Sequence, residues 1–554
     1  MGGTRRNRVD TTRGAGSWRN RLVAAGPLAA GPAAARPAAA RPAGHNPDMP
    51  SSEPKTPDPK TEFGRTPPPG EAATPKPVEP TDDIVERKHT LTIGRKKLAY
   101  TSRTGRIVLR EEVVEDGKSA GFKAKATVFL TSYTLDGAEG TKRPVTFAFN
   151  GGPGSSSVWL HMGLLGPRRV LSGDVDDPVP PPYGIADNAE SLLGHSDLVF
   201  IDPVATGFSR ALDGEKPGDY HGFTRDIESV GEVIRLWTSR NGRWLSPKFL
   251  AGESYGTIRA AGLAAHLQTR HGMYLNGIVL ISSVLDLGTI MFTEGNELPY
   301  SLFLPTYAAT AHYHGKHPGR TLREVLDEAE AYAAADYPRI LARGHRLGAA
   351  ERRAAVTKVA RLTGLRREYV DRVNLRIEHV RFYTELLRDR GLAVGRLDAR
   401  FTASEPDGGR ERFTEDPSYW HILGSYTAAL NQYVRDDLGY ENDLPYEILS
   451  GPINESWSYK EFEGRSVSVV DQLGAAMRAN PHLRVHIACG YYDGATPHFA
   501  AEHVVAHLPV PESLRANVEL AHYPAGHMMY VHEPSRIRQS ADIADFLRRA
   551  TSGA

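Results

Sequence analysis

The chain has 554 residues, 40% of them hydrophobic, which is enough chain and apolar surface for a sizeable core. Its 67 basic and 66 acidic residues leave a formal net charge of +1, which argues against nucleic acid or an anionic membrane as a partner held by bulk electrostatics. A single cysteine, Cys489, rules out an intramolecular disulfide and favours a reducing, cytoplasmic location without excluding secretion.

Residues 1–85 are rich in Ala, Pro, Gly and charge, and stretches such as PAAARPAAARPAG bury too little apolar surface to order a chain. A disordered tail is expected there. Arg5, Arg6, Arg8, Arg19 and Arg21 precede LVAAGPLAAGPAAA as basic residues precede a signal peptide. Gly26, Pro27, Gly31 and Pro32 break that run, however, and it lacks the Leu/Val/Ile density of a signal. The tail reading is preferred, with Met49 a plausible start. No stretch is long and apolar enough to span a bilayer.

Order is expected from Ile84. HTLTIGRKKLAYTS, GRIVLREEVVE and KAKATVFLTSYTLDG alternate apolar and polar residues, the period of half-buried antiparallel strands. The character then changes. VTFAFN, DLVFID, KFLAG, LNGIVLISSV and RVHIAC are short, nearly continuous apolar runs, as in strands covered on both faces of a parallel sheet. Helical stretches flank KFLAG: TRDIESVGEVIRLWTSR before it and TIRAAGLAAHLQTR after it. This alternation predicts an α/β fold with a mostly parallel central sheet and N-terminal antiparallel strands.

Between 305 and 425 the alternation stops. LREVLDEAEAYAAADY and GAAERRAAVTKVARL read as helices. REYVDRVNLRIEHVRFYTELLRDRG reads as one long helix with Val370, Val373, Ile377, Val380 and Leu387 on one face. The expected organisation is a tail (1–85), a core in two parts (86–304 and 426–554) and a helical cap inserted between them (305–425). An exposed edge strand or the cap leaves a homodimer open. The segment GRLDARFTASEP, rich in Arg and Asp, has no role beyond a loop held by ion pairs.

Gly252-Glu253-Ser254-Tyr255-Gly256 is a G-x-S-x-G that follows a strand-like run and precedes a helix pattern. In that context the glycines permit a sharp turn with Ser254 strained at its tip, and the helix N-terminus behind it favours developing negative charge. The alternative is an ordinary strand-to-helix turn. Asn150-Gly151-Gly152-Pro153-Gly154 follows VTFAF and can leave backbone N–H groups free. A tetrahedral oxyanion needs two such donors; Gly152 and Tyr255 are the candidates. A phosphate loop is disfavoured because no Lys-Ser/Thr pair follows the glycines.

A serine needs a base, usually a histidine oriented by a carboxylate, and in this fold type the order is nucleophile, acid, histidine. Asp493 follows the strand RVHIAC, and His527 follows the run VELAHY in an Ala-Gly-His turn. His522, His532 and His498 are competing bases, and Asp437 and Asp471 competing acids.

The motifs FNGGPGSSS, GESYG, CGYYDGATP and AGHMMY, in this order, resemble the serine carboxypeptidases, the S10 peptidases. IDPVATGFS adds to the likeness, which spans about 120–300 and 440–545. The lack of disulfides and the GRLDARFTASEP segment resemble the family's bacterial branch. The resemblance implies an α/β-hydrolase fold and a Ser254, Asp493, His527 triad. It also implies oxyanion donors at Gly152 and Tyr255, and Asn150 and Glu253 binding the terminal carboxylate of a peptide substrate. No metal or cofactor is implied.

Three positions depart from the family. Its acidic residue after the Gly-rich loop falls on Leu164, and the first acidic residue after Asn150 is Asp174; its Trp is Ala148; its Cys is Ser155. Without an acidic partner, Glu253 is expected to have a lower pKa than is usual in the family, and the pH optimum to lie nearer neutrality. The implied activity is acyl transfer through a Ser254 acyl-enzyme, trimming peptides from the C-terminus. An esterase or acyltransferase on the same triad, and a non-catalytic binding protein of the same fold, are the alternatives.

Overall fold

The computed structural model describes residues 79–552. The expected tail lies outside the described residues up to position 78. Nine strands form one sheet: β1 (Val85–Ile93), β2 (Lys96–Glu115), β3 (Lys118–Leu135), β4 (Val145–Phe149), β5 (Asp197–Ile201), β6 (Lys248–Glu253), β7 (Gly277–Ile281), β8 (Arg484–Gly490) and β9 (Val518–Tyr523). Their order is β1-β2-β3-β5-β4-β6-β7-β8-β9, with Arg210–Ala211 added beside β3. Pairing is antiparallel from β1 through β3 to β5 and parallel from β5 onward.

The apolar runs are continuous because the parallel strands are covered on both faces. Alternate residues feed different cores. Leu250, Ile278 and Leu280 enter one cluster with α1 (Phe223–Arg240) and α2 (Tyr255–His271). Phe249, Ala251, Val279 and Ile281 enter another, with the helices Pro417–Asp436 and Glu533–Thr551. This is the α/β-hydrolase arrangement, in which loops at the carboxyl ends of the strands converge on one edge. Among the described residues no helix is long and apolar enough to cross a membrane.

The helical block has its own core, built from Tyr307, Val325, Val359, Val370 and Phe382, among others, and Tyr492 of the sheet domain joins it. The helix Pro417–Asp436 runs across position 425. Two details differ from the sequence reading. The stretch 367–391 is broken into helices at Arg367–Arg372 and His379–Glu385. Asn374 and Leu375 between them take positive φ of 54° and 64°. Helical periodicity ran through the break, but two backbone carbonyls freed by it are taken by buried hydroxyls: Tyr337 donates to Leu375 and Tyr307 donates to Ile377 at 3.2 Å.

The second difference is a β-hairpin. Leu392–Val394 pairs with Thr402–Ser404, and the Gly395 amide donates to the Phe401 carbonyl at 2.9 Å. Most of the segment without an assigned role, GRLDARF, is therefore the tip of a hairpin projecting from the helical block.

Candidate active site

Ser254 sits between β6 and α2 with φ 59° and ψ −128°, a conformation that costs a non-glycine residue strain. Both flanking glycines are required. A Cβ on Gly252 would lie 2.1 Å from the Gly256 carbonyl oxygen, and one on Gly256 would lie 2.9 Å from that of Phe149. The Ser254 amide is tied to the Ile281 carbonyl at 3.0 Å, and the Thr257 hydroxyl donates to the Ser254 carbonyl at 2.7 Å.

The Gly-rich loop after β4 packs against this turn. A Cβ on Gly151 would come within 2.4 Å of the Tyr255 amide nitrogen, so only glycine permits the approach. Among the described residues neither the Gly152 nor the Tyr255 amide donates a hydrogen bond. Two backbone donors thus stand uncommitted, one in the Gly-rich loop and one, next to Ser254 in the chain, at the N-terminus of a helix. Behind them Arg259 donates to the Asn150 carbonyl at 2.5 Å and to Asp226 at 2.8 Å. Its guanidinium lies over the Phe149 and Tyr255 rings. Arg259 and Asp226 are each only 1% exposed.

Asp493, after β8, is fully buried. Its Oδ1 accepts the amides of Ala495 and Thr496 at 2.8 and 2.9 Å. Its Oδ2 accepts the Thr496 hydroxyl at 2.6 Å and His527 Nδ1 at 2.8 Å. A carboxylate accepting from Nδ1 fixes the tautomer and leaves Nε2 as the basic nitrogen. Burial pushes the His527 pKa down, but the Asp493 charge and hydrogen bond outweigh it and leave it raised. The His527 carbonyl accepts the Ser282 hydroxyl at 2.5 Å.

Glu253, just before the turn, is buried and held from two sides. Asn150 Nδ2 donates to Oε1 at 3.1 Å and the Tyr530 hydroxyl donates to Oε2 at 2.7 Å. The Asn150 amide cannot flip, because its Oδ1 accepts the Leu160 amide at 3.1 Å. Burial pushes the Glu253 carboxyl up to about 7, against the lowering effect of His527 and of these hydrogen bonds. Burial is the largest cause of that rise and the Asp493 charge adds to it, so the carboxyl sits above its ordinary value with Leu164 in place of an acidic partner. Leu164 lies in the apolar core, 1% exposed.

The competitors are engaged elsewhere. His522 pairs with Glu502 and His532 with the Ser535 hydroxyl. His498 faces Thr306 and Glu330. Asp437 caps the C-terminus of the helix Pro417–Asp436, and Asp471 lies in the first turn of another helix. Asp174 pairs with Arg400 at 3.2 Å.

Sequence reasoning missed two contributors. Tyr530 lies in AGHMMY, close after His527, and its aromatic ring passes directly over Gly163, where a Cβ would sit 2.4 Å from it. The hairpin tip is the other. The Leu397 carbonyl accepts the His527 amide at 2.6 Å, the Arg396 carbonyl accepts the Gly494 amide at 2.9 Å, and Asp398 Oδ2 accepts the Gly526 amide at 3.2 Å. The tip thereby ties the Asp493 and His527 loops together. It is itself braced by Arg400, whose guanidinium pairs with Asp398 at 2.6 Å. Among the described residues no cluster of His, Cys, Asp or Glu could hold a metal ion.

A family model described as serine carboxypeptidase matches residues 127–530. Among solved structures, the chain resembles the prohormone-processing carboxypeptidase Kex1(Δ)p from Saccharomyces cerevisiae. They share 14% identity over 82% of this chain and 91% of that one, with a TM-score of 0.51. It also resembles a proline iminopeptidase from Mycobacterium smegmatis (13% identity, 84% and 99% covered, TM-score 0.34). A carboxyl esterase from Bacillus coagulans is a further match (12% identity, 80% and 99% covered, TM-score 0.33). No curated protein matches the chain by sequence.

Proposed function

The chain belongs to the serine carboxypeptidase family, and we propose that it trims peptides from their C-terminus through a Ser254 acyl-enzyme. In this reading His527 takes the Ser254 proton as the hydroxyl attacks the scissile carbonyl, then passes it to the leaving amine. Asp493 holds the imidazole and stabilises its cation. The Gly152 and Tyr255 amides receive the oxyanion. Water, activated by His527, releases the shortened peptide. The lack of disulfides and the 395–406 segment are the grounds for setting the chain in the family's bacterial branch.

The observation that carries the peptide reading is Glu253. A carboxyl with a pKa of about 7, buried next to the nucleophile, is protonated over much of the range below neutrality. It can then donate to a substrate carboxylate beside Asn150. Leu164, apolar where the family carries an acid, favours the second reading, an esterase or acyltransferase on the same triad.

The test compares a free-ended peptide with its C-terminally amidated twin, using wild type and Ser254→Ala, with products weighed by mass spectrometry. The proposal expects loss of single C-terminal residues from the free-ended peptide in wild type alone. Equal cleavage of both twins, or hydrolysis of a simple ester with both peptides left intact, would overturn it.

A further inference from the structure

Arg396 stands at the hairpin tip with its backbone inside the frame of the site. Its amide donates to Asp416 Oδ1 at 3.1 Å. Its carbonyl accepts the amide of Gly494, the neighbour of Asp493, and the carbonyl of Leu397 next to it accepts the His527 amide. The residue is half-buried. Among the described residues its guanidinium has neither a hydrogen-bond acceptor nor an ion-pair partner. That sets it apart within its own hairpin tip, where Arg400 is fully engaged by Asp398 and Asp174.

The charge nevertheless reaches the centre. It pushes His527 down and also acts on buried Tyr383. The Tyr383 hydroxyl has no hydrogen-bond partner, and its ring packs against Gly494, where a Cβ would lie 2.1 Å from that hydroxyl oxygen. A guanidinium left without a partner among the described residues carries a charge that an arriving anion can pair with. Its flat fork is suited to a carboxylate.

We propose that Arg396, presented by the hairpin tip beside the Asp493 and His527 loops, receives a carboxylate of the bound peptide. The carboxylate is either the C-terminal one or an acidic side chain next to the scissile bond. This rests on the peptide reading above and deepens it: the enzyme selects anionic peptides with a cation that the helical insertion supplies.

The test uses four short peptides, carrying Glu or Gln next to the terminal bond and a free or amidated end, as inhibitors of hydrolysis of a small neutral ester. Wild type, Arg396→Gln and Arg396→Lys are compared by ratios of inhibition constants, which cancel any general effect on the machinery. Loss of the Glu-over-Gln preference in Arg396→Gln, by about 5- to 50-fold, assigns the side-chain carboxylate. The same loss in the free-over-amidated ratio assigns the terminal one. In either case Arg396→Lys keeps part of the preference. If both ratios are unchanged in Arg396→Gln, or wild type shows neither preference, the inference is wrong. Cleavage of the peptides is scored separately, so carboxylate-selective binding without cleavage would sink the peptidase reading and leave Arg396 standing.

Discussion

The Tyr530 hydroxyl donates to Glu253 Oε2 at 2.7 Å, from a position 277 residues away in sequence. Its own pKa is pushed well above the usual tyrosine value by burial, so it remains a donor throughout the working range. Because it favours the ionised form of Glu253, its removal in Tyr530→Phe raises the Glu253 pKa further. The loss of peptide hydrolysis on the alkaline side should then move up by about one pH unit. The kcat/KM profile of a free-ended peptide measures it, and an unchanged alkaline limb would separate Tyr530 from substrate binding.

Glu253→Gln cannot ionise, so its alkaline limb should vanish for peptides. Stability should change as well. The folded pKa of about 7 exceeds the ordinary value of 4.5. The wild type is therefore favoured in full below pH 4.5 and loses that stability as pH rises toward 7. Above pH 7 the buried charge costs roughly 3 kcal/mol. Urea unfolding of the two proteins should show wild type gaining less, or losing more, between pH 5 and 8 than Glu253→Gln. Parallel curves would mean that Glu253 is not the titrating group.

In the proposed mechanism the acid limb belongs to His527, which must be neutral to act as base. Asp493 holds its pKa above the ordinary value. Asp493→Asn should move the acid limb of ester hydrolysis downward while lowering kcat by about 10³- to 10⁴-fold, because the wrong tautomer is then favoured. A large loss of kcat with the limb in place would show that Asp493 does not set the His527 pKa.

With His527 neutral only above a raised pKa and Glu253 protonated only below about 7, peptide hydrolysis should peak near neutrality. A kcat/KM profile of a free-ended peptide that peaks below about pH 5 would contradict this and the near-neutral optimum expected from Leu164 alike. The motifs around Ser254, Asp493 and His527 are legible because turn, glycine and strand signals surround each one locally. Tyr530 was not, because its partner is distant in sequence and a tyrosine after a histidine turn carries no local signal. The hairpin tip was hidden because its strands, Leu392–Val394 and Thr402–Ser404, are only three residues long each, and its shape comes from Asp398, Arg400 and Asp416 rather than apolar periodicity. The helix break at Asn374 and Leu375 depends on tyrosines from two other helices, which no local pattern reveals.

Arg259 and Asp226 form a buried pair behind the Gly-rich loop. Arg259→Met leaves a buried carboxyl unpaired and releases the Asn150 carbonyl, costing about 3–5 kcal/mol of stability. The double variant Arg259→Met with Asp226→Leu should regain much of that stability but not kcat, because the loop carrying Gly152 stays untied. Recovery of both would limit the pair to a structural role.

Every proposed step depends on Ser254 as the nucleophile. The most direct measurement is covalent labelling with a fluorophosphonate, followed by peptide mapping, on wild type and Ser254→Ala across pH. One adduct on Ser254 is expected, forming more slowly as pH falls through the His527 pKa and absent from the variant. Label on another residue, or hydrolysis that persists in Ser254→Ala, would contradict it.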